Sequence, residues 1–435
     1  MQQPSIIAQL LRGAGAALTV QMVSAGVLYS AQVLLARWMG TAAYGIYEYA
    51  TTISILGAFV AGFGLPTVVL RFIPTYTAKG DWAHLRGLLK SSWQQTLIVS
   101  LLTSLGGTVI LLGLNALQSL GAYTIPIGIS IWTIPIAALI NLQKETIRAF
   151  RQIILSYAPS MIMQPLLLTS MAAVWQLHQE LTSTIAIVLF LFASVLALTL
   201  QWLMFQQHLD VKIRNAKPAY AVGLWWRVAL PLILLGGSHI VLSQMDTLMI
   251  GAFLDAEQVG IYSAAAKTSA WVPFILLAVN AVAAPLIASL YAQGDRQGLQ
   301  QLVSTIAQWM FYPALVTGVG LAVLAEPILQ LFGSDFIAAR GALVVLILGQ
   351  LVNVGAGSVG YLMTMTGHQM QSLWVMSISA LVNAILNVIG IQVWGIVGAA
   401  IATAFSMALW NVWLYVLVVR QLGVRPSILD ALRYR

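Results

Sequence analysis

The chain has 435 residues, of which 60% are hydrophobic and 7% are charged, and its net charge is +8. Soluble domains carry about 25% charged residues, so this composition excludes a water-soluble protein of this size. It predicts an integral membrane protein. The lack of cysteine excludes disulfides, thiolate metal sites and a cysteine nucleophile.

Apolar segments long enough to cross a bilayer follow one another along the chain. Reading windows between charged or Gly- and Pro-rich breaks gives twelve predicted spans. They fall near 14–36, 43–73, 92–118, 122–143, 153–177, 183–206, 227–252, 258–290, 303–325, 340–366, 371–391 and 395–419. The first is too long for the core of a cleaved signal peptide, so we interpret it as a retained span. Pro66 and Pro273 predict kinks in the long second and eighth spans.

One polar stretch near the middle of the chain, residues 207–226, separates two sets of six spans. We therefore predict an N-terminal six-helix lobe at 1–206 and a cytoplasmic linker at 207–226. A C-terminal six-helix lobe follows at 227–420, and a cytoplasmic tail at 421–435.

Lysine and arginine fall mainly on one side of this arrangement. With the N-terminus in the cytoplasm, Arg37 and Arg340 lie outside and Lys267 lies within a span, while the others are cytoplasmic. This agrees with the positive-inside rule and predicts that both termini are cytoplasmic. The net charge then reflects topology and attraction to anionic membrane lipids, and we expect no nucleic-acid partner.

Two motifs recur about half a chain apart. Gly45-Ile46-Tyr47, followed by Ala50 and Ser54, recurs as Gly260-Ile261-Tyr262, followed by Ala265 and Ser269. Ala78-Lys79-Gly80-Asp81 recurs as Ala292-Gln293-Gly294-Asp295. Their common order and nearly equal spacing predict a duplicated unit. Because six spans per half is an even number, we expect parallel repeats about an axis normal to the membrane. Such a chain indicates a transporter with its pathway between two related lobes.

The segments around the first repeat resemble a known family. Leu35-Ala36-Arg37-Trp38-Met39-Gly40, followed by Tyr44-Gly45-Ile46-Tyr47, resembles the opening signature of the polysaccharide and oligosaccharide (O-antigen-type) flippases. Gln244-Met245-Asp246-Thr247-Leu248-Met249-Ile250-Gly251, followed by Val259-Gly260-Ile261-Tyr262, resembles the second-half pattern of that family. Its superfamily also holds the multidrug and toxin extrusion (MATE) antiporters and the lipid II flippases.

The resemblance implies an all-α integral membrane protein, with twelve transmembrane helices in two parallel-repeat six-helix bundles and a V-shaped MATE-like transporter fold. The implied function is to flip an undecaprenyl-pyrophosphate-linked oligosaccharide to the outer leaflet of a bacterial-type inner membrane, for cell-surface polysaccharide such as lipopolysaccharide. Glycan polymerases or glycosyltransferases are the implied protein partners. Lipid II flippases usually carry two additional C-terminal helices, and the lack of these after the twelfth predicted span counts against that branch.

Two other function classes fit part of the pattern. An ion-coupled drug antiporter of the MATE type has the same architecture, with a cavity biased to carboxylates and aromatic residues rather than to cations. A membrane-embedded glycan polymerase or ligase commonly needs a sizeable external loop, and every predicted external connection is short. We therefore expect no enzyme activity. Without a P-loop or metal-ligand spacing, we expect no cofactor apart from a coupling proton or Na⁺.

Polar residues inside spans are candidates for the pathway, because burying them in lipid is costly. On the second span, Tyr47, Glu48, Thr51 and Thr52 share one helix face. A functional interpretation places this face on a cavity between the lobes, where it contacts substrate and Glu48 binds a coupling ion. The alternative is that it forms interhelical hydrogen bonds. The sequence places no basic residue at the same depth of this lobe, which favours the cavity.

A second polar face lies on the seventh and eighth spans. His239, Ser243 and Asp246 share a face of the seventh, while Tyr262 and Lys267 lie on the eighth. Asp246 is a candidate for binding a coupling ion, and Lys267 for contacting the substrate. The alternative is that Asp246 and Lys267 neutralise each other inside the C-terminal lobe.

Arginines at span ends form a third candidate set. Arg71, Arg148 and Arg151 lie at the cytoplasmic boundary, where a pyrophosphate would arrive, and guanidinium groups bind phosphate oxygens in a bidentate manner. Ordinary positive-inside anchoring is the alternative for each. Arg37 lies on the outer side, so it is also a candidate, unless it merely caps a helix.

Overall fold

The computed structural model describes residues 6–117 and 121–433. The side chains of residues 6–18, 231, 232, 234, 235, 239, 277, 278, 281, 282 and 433 lie outside the described part. Within these ranges the regular structure is helical and contains no β-strand, which confirms the all-α fold class.

The described part of the chain contains seventeen α-helical segments, joined in places by short 3₁₀ or π turns. They are α1 (Ile6–Gly62), α2 (Leu65–Lys79), α3 (Trp82–Leu117), α4 (Thr124–Ala149), α5 (Ile153–Ala158), α6 (Gln164–Gln176), α7 (Ser183–His208), α8 (Val211–Asn215), α9 (Val222–Phe253), α10 (Ala256–Ser269), α11 (Phe274–Ala292), α12 (Arg296–Val323), α13 (Ala325–Gln330), α14 (Arg340–Gly355), α15 (Val359–Met365), α16 (Gln369–Leu422) and α17 (Ile428–Arg433).

Eight helices of the described residues are long and apolar enough to cross a membrane. Two of them, Thr19–Gly62 and Gln369–Leu422, have 44 and 54 residues. At about 1.5 Å per residue, each is long enough to cross the roughly 30 Å hydrocarbon core twice. Gly40 (φ 73°, ψ 176°) and Gly395 (φ 58°, ψ −137°) interrupt the helical backbone inside α1 and α16. The multi-span membrane character is therefore confirmed, while the count of twelve spans stays a prediction.

The two predicted proline kinks are confirmed as helix breaks. α1 ends at Gly62 and α2 begins at Leu65, with Pro66 in its first turn and Phe63 and Gly64 in the left-handed region between them. In the second half, α10 ends before Pro273 and α11 begins directly after it. Proline fits these positions because its ring tolerates the first helical turn and blocks a continuous helix.

The first of two compact units comprises Ala16–Ile240. Its central helix is α4, which contacts α2, α3, α5 and α7. Val69 from α2, Leu88 from α3 and Leu142 from α4 meet in a buried core at this centre.

The first copy of the repeated motif is used for packing within this unit. Ser130 on α4 donates to the carbonyl oxygen of Ala50, and the hydroxyls of Ser54 and Thr133 lie 2.5 Å apart. Small residues let two helix backbones approach closely in a membrane, and their hydroxyls then bond across the interface. Part of the sequence repeat is therefore explained by helix contact.

The predicted linker, residues 207–226, packs against α3. Nη1 of Arg86 donates to the carbonyl oxygen of Ala216 at 2.6 Å, and the amide of Ala219 donates to the carbonyl oxygen of Ala83 at 3.0 Å. The compact units divide between Ile240 and Val241, inside α9, which is later in the chain than the predicted lobe boundary. The role of this segment as a cytoplasmic linker between the lobes stays a prediction.

Gly87 is the position where this contact is tightest. A Cβ atom there would lie 1.8 Å from the carbonyl oxygen of Ala219. We expect Gly87→Val to displace the segment and to destabilise the unit by about 1–3 kcal/mol, the usual effect of overpacking. Thermal unfolding of the detergent-purified protein would measure this. Gly113→Ala, in the same helix but with nothing within 4 Å, is the control. Equal melting temperatures for the two variants would contradict the close contact.

The second compact unit is built on Val241–Arg435. Its central helix is α14, which contacts α10, α12, α13 and α16. Ile287 from α11, Val303 from α12 and Val418 from α16 belong to a second buried core.

The second repeated motif ends one helix and starts the next in both units. Gly80 (φ 66°) and Gly294 (φ 70°) adopt the left-handed conformation, and Asp81 and Asp295 then accept backbone N–H groups at the starts of α3 and α12. The amide of His84 bonds to the charged form of Asp81 and lowers the pKa of that carboxyl below its usual value. The motif is therefore structural, a glycine C-cap followed by an aspartate N-cap.

Candidate functional site

The candidate site is a buried polar cluster inside the second unit. Asp246 comes from α9, Tyr262 from α10, and Asn383, Asn387 and Thr403 from α16. All five are at most 7% exposed. A carboxylate at this depth is expensive to bury unless its oxygens are satisfied.

Three neutral groups bind the Asp246 carboxylate. The Tyr262 hydroxyl donates to Oδ2, and the Thr403 hydroxyl donates to the same oxygen at 2.5 Å. Nδ2 of Asn387 donates to Oδ1 at 2.9 Å. The Asn383 side chain completes the network, because its Oδ1 accepts from Asn387 at 3.2 Å and its Nδ2 donates to Thr403 at 3.3 Å.

A close contact of two glycines brings the two parts of α16 together. Gly395 breaks the helix, and a Cβ atom on Gly398 would lie 1.8 Å from the carbonyl oxygen of Gly390. Only glycine permits this approach of two backbones. The contact lets Thr403, after the break, reach Asn383 and therefore Asp246.

The alternative of a salt bridge between Asp246 and Lys267 stays a prediction. The contacts given above join the Asp246 oxygens to hydroxyl and amide donors. Lys267 lies in the last turn of α10, where it is half-buried.

The cluster is suited to a small monovalent cation or a proton. Oδ1 of Asn387 is buried and accepts no hydrogen bond. Together with Asp246, Thr403 and the Asn383 carbonyl, it supplies oxygen ligands with one full negative charge, which is the donor type that hard cations prefer. No group of three or more His, Cys, Asp or Glu residues suited to a metal ion occurs in the described part of the chain.

The face predicted on the second span lies in the first unit, in the part of α1 after Gly40. Tyr47, Glu48, Thr51 and Thr52 are all buried, and the ring of Tyr47 packs edge-on against Phe190 at 6.4 Å. The Thr51 hydroxyl donates back to the carbonyl oxygen of Tyr47 at 2.9 Å. Their shared burial agrees with a polar face turned away from lipid, and their place on a cavity stays a prediction.

The predicted arginines occupy different environments. Arg148 pairs with Glu145 at 2.8 Å and donates to the Tyr157 hydroxyl at 3.2 Å. Arg71 is exposed, with its guanidinium carbon 5.9 Å from the centre of the Phe72 ring.

Arg151 and Arg37 are both exposed and lie at changes in backbone direction. Arg151 follows α4 and has φ 62°, a left-handed conformation that is uncommon for a residue with a Cβ atom. Arg37 lies one turn before the break at Gly40. Their roles toward a substrate stay predictions.

Three members of the cluster, Asn383, Asn387 and Thr403, were not singled out in the sequence. The signal that would have found the first two is their i, i+4 spacing in an apolar span, which places two amides on one helix face. Thr403 carried no such signal, because its place depends on the fold of α16 about Gly395. The side chain of His239, predicted to share a face with Asp246, lies outside the described residues.

Comparison with known families and structures supports the same fold. The family model described as polysaccharide biosynthesis protein matches residues 10–291, and the MatE model matches residues 231–389. An inward-facing multidrug resistance MATE family transporter of the MOP superfamily has a TM-score of 0.68 at 15% identity, covering 93% of this chain and 94% of that one. The lipid II flippase MurJ, in an inward closed conformation, has a TM-score of 0.67 at 17% identity and covers 95% and 88%.

Two relatives come from Haloferax volcanii. The probable low-salt glycan biosynthesis flippase Agl15 is 30% identical over 170 residues, which is 38% of this chain and 35% of that protein. The probable flippase AglR is 29% identical over 176 residues, which is 39% and 36% of the two chains. The match thus spans about a third of the length of these relatives. The polysaccharide biosynthesis match is far longer, covering more than half of this chain, and the chain therefore belongs to the polysaccharide biosynthesis protein family.

Proposed function

We propose that this protein is a flippase that moves an undecaprenyl-pyrophosphate-linked oligosaccharide from the cytoplasmic to the outer leaflet of an inner membrane, with both termini cytoplasmic. The observation that carries the proposal is the family match over residues 10–291. The flippase names of the two relatives and the MurJ-like fold support the same class. After translocation, other enzymes would extend the glycan or attach it to its acceptor.

The arginines at the predicted cytoplasmic boundary fit the charged part of such a substrate. A pyrophosphate needs donors that are charged and directional, and guanidinium groups supply both. Arg151 supports this role further, because a left-handed conformation costs a residue with a Cβ atom about 1–2 kcal/mol. Glycine would form the turn without that cost, so the turn alone does not explain an arginine here.

The Asp246 cluster fits the coupling of transport to an ion gradient. A bound proton or Na⁺ would neutralise the carboxylate, and its release would leave a buried charge. The two states therefore differ in electrostatic free energy, which is what a ligand needs in order to shift a conformational equilibrium.

The first test is complementation of a strain that lacks its own oligosaccharide flippase, scored together with the abundance of the protein in the membrane. For Arg148→Gln/Arg151→Gly we expect export to fall roughly tenfold, equivalent to about 1.4 kcal/mol of lost interaction. The glycine preserves the turn at position 151. Lys212→Gln/Lys217→Gln removes the same charge from the same predicted side and should export normally. Normal export by the arginine variant would contradict the site assignment.

A drug antiporter is the second candidate, because the MatE match includes Asp246, Tyr262, Asn383 and Asn387. It predicts resistance to cationic drugs in a susceptible host and no glycan export in the complementation strain. Glycan export without drug resistance supports the flippase. Drug resistance without glycan export would instead support the antiporter.

A further inference from the structure

A cavity of about 280 Å³ lies inside the first unit, among α3, α4, α7 and α8. Its lining includes three basic residues, Arg86, Lys90 and Arg214, and none of its lining residues is acidic. A concave surface with one sign of charge concentrates ions of the opposite sign. Its volume is near the lower end of the range for small-ligand sites, about 300 Å³ and upward.

The basic groups keep hydrogen-bond donors for a ligand. Arg86 donates from Nη1 to the carbonyl oxygen of Ala216 at 2.6 Å, and Arg214 donates from Nη2 to that of Gln206 at 2.8 Å. Since a guanidinium has five N–H donors, one bond orients each group and leaves the other donors available. Lys90 is exposed and forms no ion pair with any residue that the structure describes.

Gln143 adds a buried donor that has no partner. It is 1% exposed and lines the cavity, and its Nε2 makes no hydrogen bond. Its Oε1 accepts from Nε1 of Trp93 at 3.0 Å. An indole N–H can only donate, so Trp93 fixes the orientation of the amide, and the free atom must be the N–H₂ group. A buried donor left unsatisfied costs about 1–3 kcal/mol, and an anion in the cavity would satisfy it.

The remaining lining indicates which anion. Trp202, Phe205 and Leu209 form an apolar wall, and Trp202 is 42% exposed. A free phosphate would leave this wall unused, whereas a phosphate carried on an acyl chain would use both parts of the lining. We propose that this cavity binds the phosphate group of an anionic membrane phospholipid. Arg71, Arg148 and Arg151 do not line the cavity, so it is separate from the proposed substrate contacts.

Thermal unfolding of the full-length protein in neutral detergent tests the proposal. A lipid that binds the native state raises the melting temperature with its concentration. We expect phosphatidylglycerol to stabilise the wild type, while phosphatidylcholine and inorganic phosphate at the same concentration do not. Lys90→Gln/Arg214→Gln should weaken the apparent affinity by about tenfold or more. High salt should reduce the effect of phosphatidylglycerol on the wild type.

The matched control is Lys79→Gln/Lys212→Gln. It removes the same charge from exposed positions of the same unit that do not line the cavity, and it should respond to phosphatidylglycerol as the wild type does. Gln143→Glu keeps an acceptor for Trp93 and introduces a repelling charge, so it should also lose the response. If the control loses as much of the response to phosphatidylglycerol as the cavity variant, the lipid is attracted by overall charge alone. That result would overturn the proposed site. If inorganic phosphate stabilises the wild type as much as phosphatidylglycerol does, the cavity binds a soluble phosphate, and the proposal of a lipid ligand is wrong.

Discussion

We expect Asp246→Asn to reduce transport by roughly 100-fold while the protein reaches the membrane in normal amount. The magnitude lies toward the upper end of the roughly 5–150-fold range of coupling between sites. Asparagine has the shape of aspartate but no charge, so the cluster would lose the group that attracts a cation. Complementation, scored beside abundance in the membrane, measures both quantities.

The local network explains why the variant should still fold. The side-chain oxygen of the asparagine in the variant can accept hydrogen bonds from Tyr262 and Thr403, as Oδ2 of Asp246 does. The new N–H₂ group would face Asn387, whose Oδ1 has no hydrogen bond and can accept one after the amide rotates. Removing a buried charge while keeping its hydrogen bonds is often neutral or stabilising.

A direct readout separates ion binding from transport. If Na⁺ is the coupling ion, it should raise the melting temperature of the wild type relative to choline, and the variant should not respond. If a proton is coupled, Na⁺ has no effect and the pH dependence of transport is lost in the variant. Asp255→Asn, an exposed helix cap in the same unit, is the control and should behave as the wild type. Normal glycan export by Asp246→Asn would rule out this coupling site.

Whether the sequence predicts a member of this site depends on how unusual its side chain is inside an apolar span. Asp246 was found because a carboxylate in an apolar span is costly, and Tyr262 because it repeats Tyr47. Asn383, Asn387 and Thr403 were missed, because amides and hydroxyls in spans commonly form ordinary interhelical bonds. What distinguishes them is a tertiary contact to Asp246, and no local pattern encodes that contact.

The sequence predicted more of the fold than of the candidate site. Long apolar runs, Pro66 and Pro273 correctly predicted helices and their breaks, since both signals act through the local backbone. The predicted linker followed from its polarity alone, yet residues 216–219 bond to α3 through main-chain groups. Composition carries no information about such contacts. The predicted salt bridge between Asp246 and Lys267 rests on charge alone, and it stays a prediction.

The contact between Gly390 and Gly398 should be essential for the cluster. Because a Cβ atom on Gly398 would lie 1.8 Å from the carbonyl oxygen and 2.2 Å from the carbonyl carbon of Gly390, the two parts of α16 must separate in Gly398→Ala. Overpacking of this kind destabilises by about 1–3 kcal/mol. The separation would also move Thr403 away from Asn383. We therefore expect a lower melting temperature, and loss of any stabilisation by the coupling ion.

Gly360→Ala is the matched control for this prediction. It adds the same methyl group in the same unit, at a helical position with nothing within 4 Å. Alanine is favoured over glycine inside a helix by about 1 kcal/mol, so this variant should melt at or above the wild-type temperature. If Gly398→Ala melts with it and still responds to the ion, the two parts of α16 do not need the glycine contact to form the cluster. A drop confined to Gly398→Ala would tie the stability of the unit and the geometry around Asp246 to one backbone contact.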